Sequence, residues 1–193
     1  MIGTPSGARR ALVITVALAG TACGDAHRAA GPSASLALLP SSFQRVVVAR
    51  LGAVPIGLTA TVRVTPEGAT VVMPVAGLRV EFPAGAVAEP VDVSVRVASS
   101  RRVAYEFEPH GLTFARPVLV EQALAGTAAA TDPLLRRALV ATYAAGGFGD
   151  RADGIVLADE VLSVRVDDDG RSASFSVTHF SGYQLASGRH GGK

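Results

Sequence analysis

Apolar side chains recur at every second position along several stretches of this chain. Residues 78–82 read LRVEF and residues 91–97 read VDVSVRV, and the same alternation returns in residues 162–166 and 173–177. A period of two is typical of a β-strand that buries one face and exposes the other. Its repetition predicts an all-β fold, an antiparallel β-sandwich in which each sheet keeps one face in water.

Turn residues divide the rest of the sequence into segments of strand length. Further strands are predicted near residues 45–51, 58–64, 103–107, 117–124 and 138–144. Proline sets φ and glycine accepts a positive φ, so reversals are predicted at residues 66–68, 83–85 and 168–170. Thr131-Asp132-Pro133, which precedes LLRRAL, predicts one or two helical turns.

The first 22 residues have the layout of a secretory signal peptide. Arg9 and Arg10 precede an apolar run of twelve residues, 11–22, which ends in small side chains next to Cys23. Roughly 20 residues are needed to cross a bilayer as a helix, so the run is too short for a membrane span. A charged start, a short apolar middle and a small-residue end predict export and removal of residues 1–22.

The end of this leader resembles the lipobox of bacterial lipoproteins, in which a small residue precedes a cysteine that is acylated after cleavage. Gly20 stands three positions before Cys23, where lipoboxes usually have Leu. The resemblance implies lipidation of Cys23 and a cell-envelope protein anchored to a membrane, periplasmic or on the outer surface. Ordinary signal-peptidase cleavage after Ala22, which leaves a free thiol, is the alternative.

In the segment that follows, apolar residues show no regular spacing, and Ala, Ser, Gly and Pro are frequent. Residues 23–42 are therefore predicted to form a flexible tether, and the alternative is a poorly ordered N-terminus without a role. One folded domain is predicted over residues 43–188, followed by a disordered tail at residues 189–193.

Charge argues against a nucleic-acid partner. The chain has 18 Lys and Arg against 16 Asp and Glu, and removal of Arg9 and Arg10 with the leader leaves 16 of each sign. The remaining arginines form no long run, and only Arg101-Arg102 and Arg136-Arg137 are adjacent, so the basic stripe that would bind phosphates is missing from the sequence.

Cofactor and metal patterns are equally weak. The sequence has no phosphate-binding or dinucleotide glycine motif and no G-x-S-x-G nucleophile elbow, so no cofactor is expected. Its four histidines are dispersed, and the aspartates at 150, 153 and 167–169 lack the spacing of a calcium loop. Hairpin turns account for these aspartates, and no metal site is predicted.

Two stretches resemble the ZU5 domain, a β-sandwich found in ankyrins, netrin receptors and many bacterial envelope proteins. GLRVEFPAGAV begins at Gly77, and YEFEPHGLTFARPV begins at Tyr105. The matching positions are Pro83, Gly85, Ala86, Pro109, Gly111, Phe114, Pro117 and Val118. The resemblance covers residues 71–187 and implies a sandwich that mostly mediates protein contacts. Residues 43–70 belong either to the same sandwich or to an accessory hairpin.

VTHFSGY, which begins at Val177, resembles the closing element of bacterial ZU5-like proteins and the self-cleavage site of some eukaryotic relatives. This second resemblance implies Ser181 as nucleophile, His179 as base and the Phe180 carbonyl as target. Strand phase would turn His179 inward and Phe180 outward unless the backbone bulges near Ser181-Gly182. The alternative is a last core strand with Phe180 packed and His179 hydrogen-bonded.

Three functions remain open on the sequence alone. The first is a non-enzymatic envelope module that is anchored to the membrane and presents loops or a sheet edge to an unknown protein or surface partner. The second is a self-processing domain cut between Phe180 and Ser181. The third is a structural lipoprotein without a specific ligand.

Overall fold

A computed structural model describes residues 43–143 and 154–187 of the chain. The predicted leader, Cys23, the tether and the tail lie outside the described residues. Within the described ranges the strands form two antiparallel sheets of eight and five strands, packed together. The predicted all-β sandwich is therefore confirmed.

In chain order the described strands are β1 (Phe43–Val47), β2 (Thr59–Val64), β3 (Ala69–Met73), β4 (Leu78–Phe82), β5 (Val91–Val97), β6 (Ala104–Glu108), β7 (Thr113–Ala123), β8 (Leu139–Tyr143), β9 (Ile155–Ala158), β10 (Glu160–Ser163), β11 (Arg165–Val166), β12 (Ser172–His179) and β13 (Gly182–Ser187). A 3-10 helix at Pro74–Ala76 lies between β3 and β4. Two short α-helices, α1 (Ala128–Thr131) and α2 (Pro133–Arg137), lie between β7 and β8. The Asp132 side chain accepts hydrogen bonds from the backbone N–H groups of Leu134 and Leu135 and so caps α2, the helix predicted to follow Thr131-Asp132-Pro133.

The larger sheet has the order β10-β8-β13-β6-β5-β2, with β1 beside β13 and β9 beside β1. The smaller sheet has the order β11-β12-β7-β4-β3. Because β1 and β2 both pair within the larger sheet, residues 43–70 belong to the sandwich and do not form an accessory hairpin.

Three described strands were missed, and one predicted strand is divided. The stretch 162–166 was predicted as a single strand, but β10 pairs with β8 in the larger sheet while β11 pairs with β12 in the smaller one. Alternation continues through this change of sheet, so it could not reveal the break. In β13 all six residues are buried, and in β3 an apolar Val72 is exposed, so neither strand alternates in sequence. The short β9 was the third strand missed.

The aromatic side chains of the motif fill the space between the sheets. Phe82, Phe107 and Phe114, which lie in or beside the two motif stretches, are all buried. The Phe180 ring lies among them, with its centroid 5.8, 5.0 and 4.7 Å from those of Phe82, Phe107 and Phe114, respectively. The contacts with Phe82 and Phe114 are edge-to-face, and contacts of this kind add to the stabilisation that comes from burial alone.

The sandwich has two distinct ends. One, called here the helical end, is formed by the loops 51–57 and 98–103, the 3-10 helix and the segment 124–138. The other, called here the turn end, is formed by the turns 65–68, 83–90 and 109–112. The two proline and glycine motifs lie at the turn end.

Candidate functional site

His179, Phe180 and Ser181 lie at the turn end, where β12 passes into β13. Pairing between β12 and β7 is irregular here, because Val177 pairs with Val118 while His179 pairs with Thr113. Two steps along β12 therefore correspond to five along β7. The extra residues of this irregularity belong to β7, whereas the bulge considered from the sequence was at Ser181-Gly182. The irregularity leaves Phe180 buried and His179 partly exposed, the reverse of the simple phase.

The backbone around Phe180 is held by the loop that carries the second motif. The Phe180 N–H donates to the Leu112 carbonyl at 2.8 Å, and the Gly111 N–H donates to the Phe180 carbonyl at 3.0 Å. The Ser181 carbonyl accepts from the Phe107 N–H at 3.1 Å. The two stretches noted in the sequence are thus brought into direct contact, and the carbonyl that self-cleavage would attack already has a backbone donor.

The His179 side chain lies close to Glu160 and to the ring of Tyr143. Its Nε2 lies 3.6 Å from Glu160 Oε2, and its ring meets the Tyr143 ring edge-on at 5.2 Å. The Tyr183 hydroxyl donates to the His179 carbonyl at 2.9 Å. Within the described residues no hydrogen bond joins the His179 ring to Ser181. A role as base would therefore require the ring or the serine side chain to turn.

Tyr183 makes folding sensitive to alkaline pH. Burial, followed by the charges of Glu160 and Tyr143, raises the pKa of its phenol above the ordinary value of about 10. A raised folded-state pKa contributes stability below pH 10 that is lost as pH rises further. We expect the free energy of unfolding to fall above about pH 10, and to fall less steeply in Tyr183→Phe. Urea unfolding between about pH 8 and pH 11 measures both slopes, and equal slopes would contradict this assignment.

A buried polar network, which was not anticipated from the sequence, closes the helical end. Arg50 is almost fully buried, and its guanidinium donates to the Ala76 carbonyl at 2.9 Å, the Tyr105 hydroxyl at 2.6 Å and the Arg102 carbonyl at 3.2 Å. Among the described residues no carboxylate contacts Arg50. Its charge is therefore stabilised by hydrogen bonds to neutral oxygens and by the Tyr105 ring, whose centroid lies 5.6 Å from the guanidinium carbon.

Gln122 continues this network into the smaller sheet. The Tyr105 hydroxyl donates to Gln122 Oε1 at 2.5 Å, and Gln122 Nε2 donates to the carbonyls of Ala76 and Ala123 at 3.1 and 2.7 Å. Burial raises the pKa of Tyr105, and the nearby charge of Arg50 opposes this. One signal was available in the sequence, since Gln122 follows Val118 and Val120 at inward-facing positions of the same strand.

A shallow surface cavity of about 360 Å³ lies on the larger sheet near the turn end, lined by Thr61, Asp92, Val93, Ser94, Glu108, Pro109 and His110. His110 is exposed, as expected for a loop side chain, and Asp92 forms an ion pair with Arg63 at 2.9 Å. In the described ranges no group of three His, Cys, Asp or Glu residues is arranged to hold a metal ion. Nor does any helix of the described part have the length and apolar character of a membrane span.

Comparison with known proteins adds no family to this description. A scan against protein-family models and a search of curated proteins both find no match to the sequence. The resemblance to ZU5 domains therefore stays a prediction that depends on the motif residues themselves. What the structure shows is the fold class, an antiparallel β-sandwich.

Proposed function

We propose that this protein is an exported cell-envelope lipoprotein, anchored to a membrane through acylated Cys23. Its sandwich is a non-enzymatic module for protein contacts or for structural support. The observation that carries the proposal is the order of segments. A charged and apolar leader ends at Cys23, and the first strand of the folded domain begins at Phe43. An acylated cysteine at this position would hold the domain on the membrane surface.

The contacts of the motif residues support a ZU5-like module. The Gly85 N–H donates to the Pro66 carbonyl at 2.7 Å, and the Ala115 N–H donates to the Ala86 carbonyl at 3.0 Å. Together with the Gly111 contact to Phe180, these bonds join the turn end into one surface. The motif residues thus serve to shape loops, which is how a sandwich presents a binding surface.

Self-cleavage between Phe180 and Ser181 is the second candidate, and the Gly111 N–H favours it. Ser181 Oγ would attack the Phe180 carbonyl carbon and pass its proton to His179, while the Gly111 donor stabilises the negative oxygen. The peptide C–N bond then breaks, the new amino group takes the proton, and water hydrolyses the resulting ester. Against this candidate, the Phe180 ring is fixed at the centre of an aromatic cluster.

Intact mass analysis of the protein, extracted from its native membrane and denatured, tests both candidates. We expect one mass, that of residues 23–193 with acyl groups on Cys23, and no fragment that ends at Phe180. Cys23→Ala should lose the acyl mass and move from the membrane fraction to the soluble fraction. Ser181→Ala, the matched control, should keep the acyl mass and remain with the membrane.

Two results would contradict the proposal in different ways. An unacylated chain that begins at Cys23 would exclude the lipid anchor and support ordinary signal-peptidase cleavage. A fragment that ends at Phe180, present in the wild type and absent in Ser181→Ala, would establish self-processing. If the anchor is present, recovery of a reproducible protein partner from membrane extracts separates a contact module from a purely structural lipoprotein.

A further inference from the structure

Long apolar side chains are exposed at the helical end of the sandwich. Leu51, Ile56, Val75 and Leu134 are 63%, 64%, 65% and 55% exposed. None of the large apolar residues exposed in the described part of the chain lies in the turns of the opposite end. The other four large apolar residues exposed in the described part, Val72, Leu119, Leu157 and Val161, lie singly in strands, as such residues ordinarily do, so only the helical end carries several of them in its loops and helices.

Hydrogen bonds join the segments of the helical end that carry these residues, and the Ala128 N–H, at the start of the two short helices, donates to the Ala49 carbonyl at 2.9 Å. The Leu51 N–H donates to the Gly126 carbonyl at 2.8 Å, which fixes the first loop against the helical segment. The Val54 N–H donates to the Ser100 carbonyl at 3.0 Å, which joins the same loop to the loop 98–103. Arg50 fixes the 3-10 helix, next to Val75, through the Ala76 carbonyl. The exposed apolar side chains are therefore carried by segments that are hydrogen-bonded to one another.

The chain enters the sandwich at this same end. β13 runs towards the helical end, since its Gly182 pairs with Glu106 and its Gln184 with Ala104. β1 is antiparallel to β13, and Val46 pairs with Ser187 at the far end of that strand. The first described residue, Phe43, therefore lies at the helical end.

The length of the preceding chain keeps this end close to the anchor. Residues 24–42 separate Cys23 from β1, and the tether predicted there from the sequence, 19 residues long, would span roughly 25 Å on average. The bilayer is thus the surface that the helical end meets at the highest effective concentration. The charges at the helical end do not favour a different binding partner. The exposed Arg101 and Arg137 lie at the same end as the aspartates of the turn 167–170, so neither sign of charge dominates.

We infer that the helical end lies on the lipid bilayer, with Leu51, Ile56, Val75 and Leu134 inserted at its interface. This inference rests on the proposed function, because the acylated Cys23 brings the domain to the membrane. Burial of four apolar side chains at an interface provides the attraction, and the tether removes most of the cost of bringing the two surfaces together. The turn end, with the motif loops, then faces away from the membrane and is open to a partner.

The absence of tryptophan from the sequence allows a direct test. Ile56→Trp places one tryptophan at the helical end, and Ala88→Trp places one on an exposed turn at the other end as the matched control. Each acylated, full-length variant is reconstituted into vesicles of phosphatidylcholine and phosphatidylglycerol with brominated acyl chains. We expect loss of most Ile56→Trp emission and no loss for Ala88→Trp. Leu134→Trp serves if Ile56→Trp does not fold.

The outcomes separate this inference from the proposed function. If mass analysis shows acylated Cys23 but neither helical-end tryptophan is quenched, the bilayer contact is overturned while the anchor stands. Equal quenching of Ala88→Trp and Ile56→Trp would also overturn it, because the domain would then have no fixed orientation. If the native protein lacks acyl groups, Cys23→Ala carrying Ile56→Trp is added to the same vesicles. Quenching there supports the surface without the anchor, and no quenching overturns it.

Discussion

Replacement of Phe180 by alanine is expected to destabilise the sandwich by about 3–5 kcal/mol, the usual cost of deleting a buried phenylalanine. The ring is only 1% exposed and lies against three other phenylalanines, so its removal leaves a cavity between the sheets. Urea unfolding of the soluble Cys23→Ala protein, followed by circular dichroism, measures the change.

Val72→Ala provides the matched control, because it also shortens an apolar side chain in a strand but at an exposed position. We expect its effect to stay within about 0.5 kcal/mol. A Phe180→Ala protein that loses less than about 1 kcal/mol would contradict the central position of this ring in the core. It would also remove the main structural argument against backbone cleavage at this residue.

Replacement of Tyr105 by phenylalanine is expected to destabilise the protein by about 3 kcal/mol, although a single oxygen is deleted. The hydroxyl lies 2.6 Å from the Arg50 guanidinium and 2.5 Å from Gln122 Oε1. Its loss leaves a buried cationic N–H and a buried amide oxygen without partners. Urea unfolding at neutral pH measures the difference from the parent protein.

Tyr143→Phe is the control for this experiment, since it makes the same chemical change at a half-buried tyrosine. The Tyr143 hydroxyl donates no hydrogen bond to another described residue, so we expect a loss below about 0.5 kcal/mol. Equal losses in the two variants would show that the network around Arg50 contributes no more than an ordinary tyrosine hydroxyl.

The sequence predicts this fold wherever one face of a strand meets water. β5 and β12 show the alternation clearly, and both are found close to the predicted positions. β13 gives no such signal, because all six of its residues are buried. Local pattern cannot reveal a strand whose two faces are both covered.

The candidate site depends on contacts between distant segments. The orientation of Phe180 follows from the irregular pairing of β12 with β7, about 65 residues earlier in the chain, which no local period encodes. The burial of Arg50 could not be predicted from the local sequence either, because a charged residue just after a strand gives no sign that it will be buried with Tyr105 and Gln122. The two motif stretches were visible in the sequence, but their contact with His179-Phe180-Ser181 was not.

The position of β13 also determines when the domain can fold. This strand lies between β8 and β6 in the larger sheet, yet it is the last described strand to be synthesised. Until it emerges from the ribosome, the three strands that pair with it lack their neighbour, and the sheet stays in three parts, β10-β8, β9-β1 and β6-β5-β2. A chain that lacked β13 would therefore keep every other described strand intact and still lose the connection between these parts of the larger sheet.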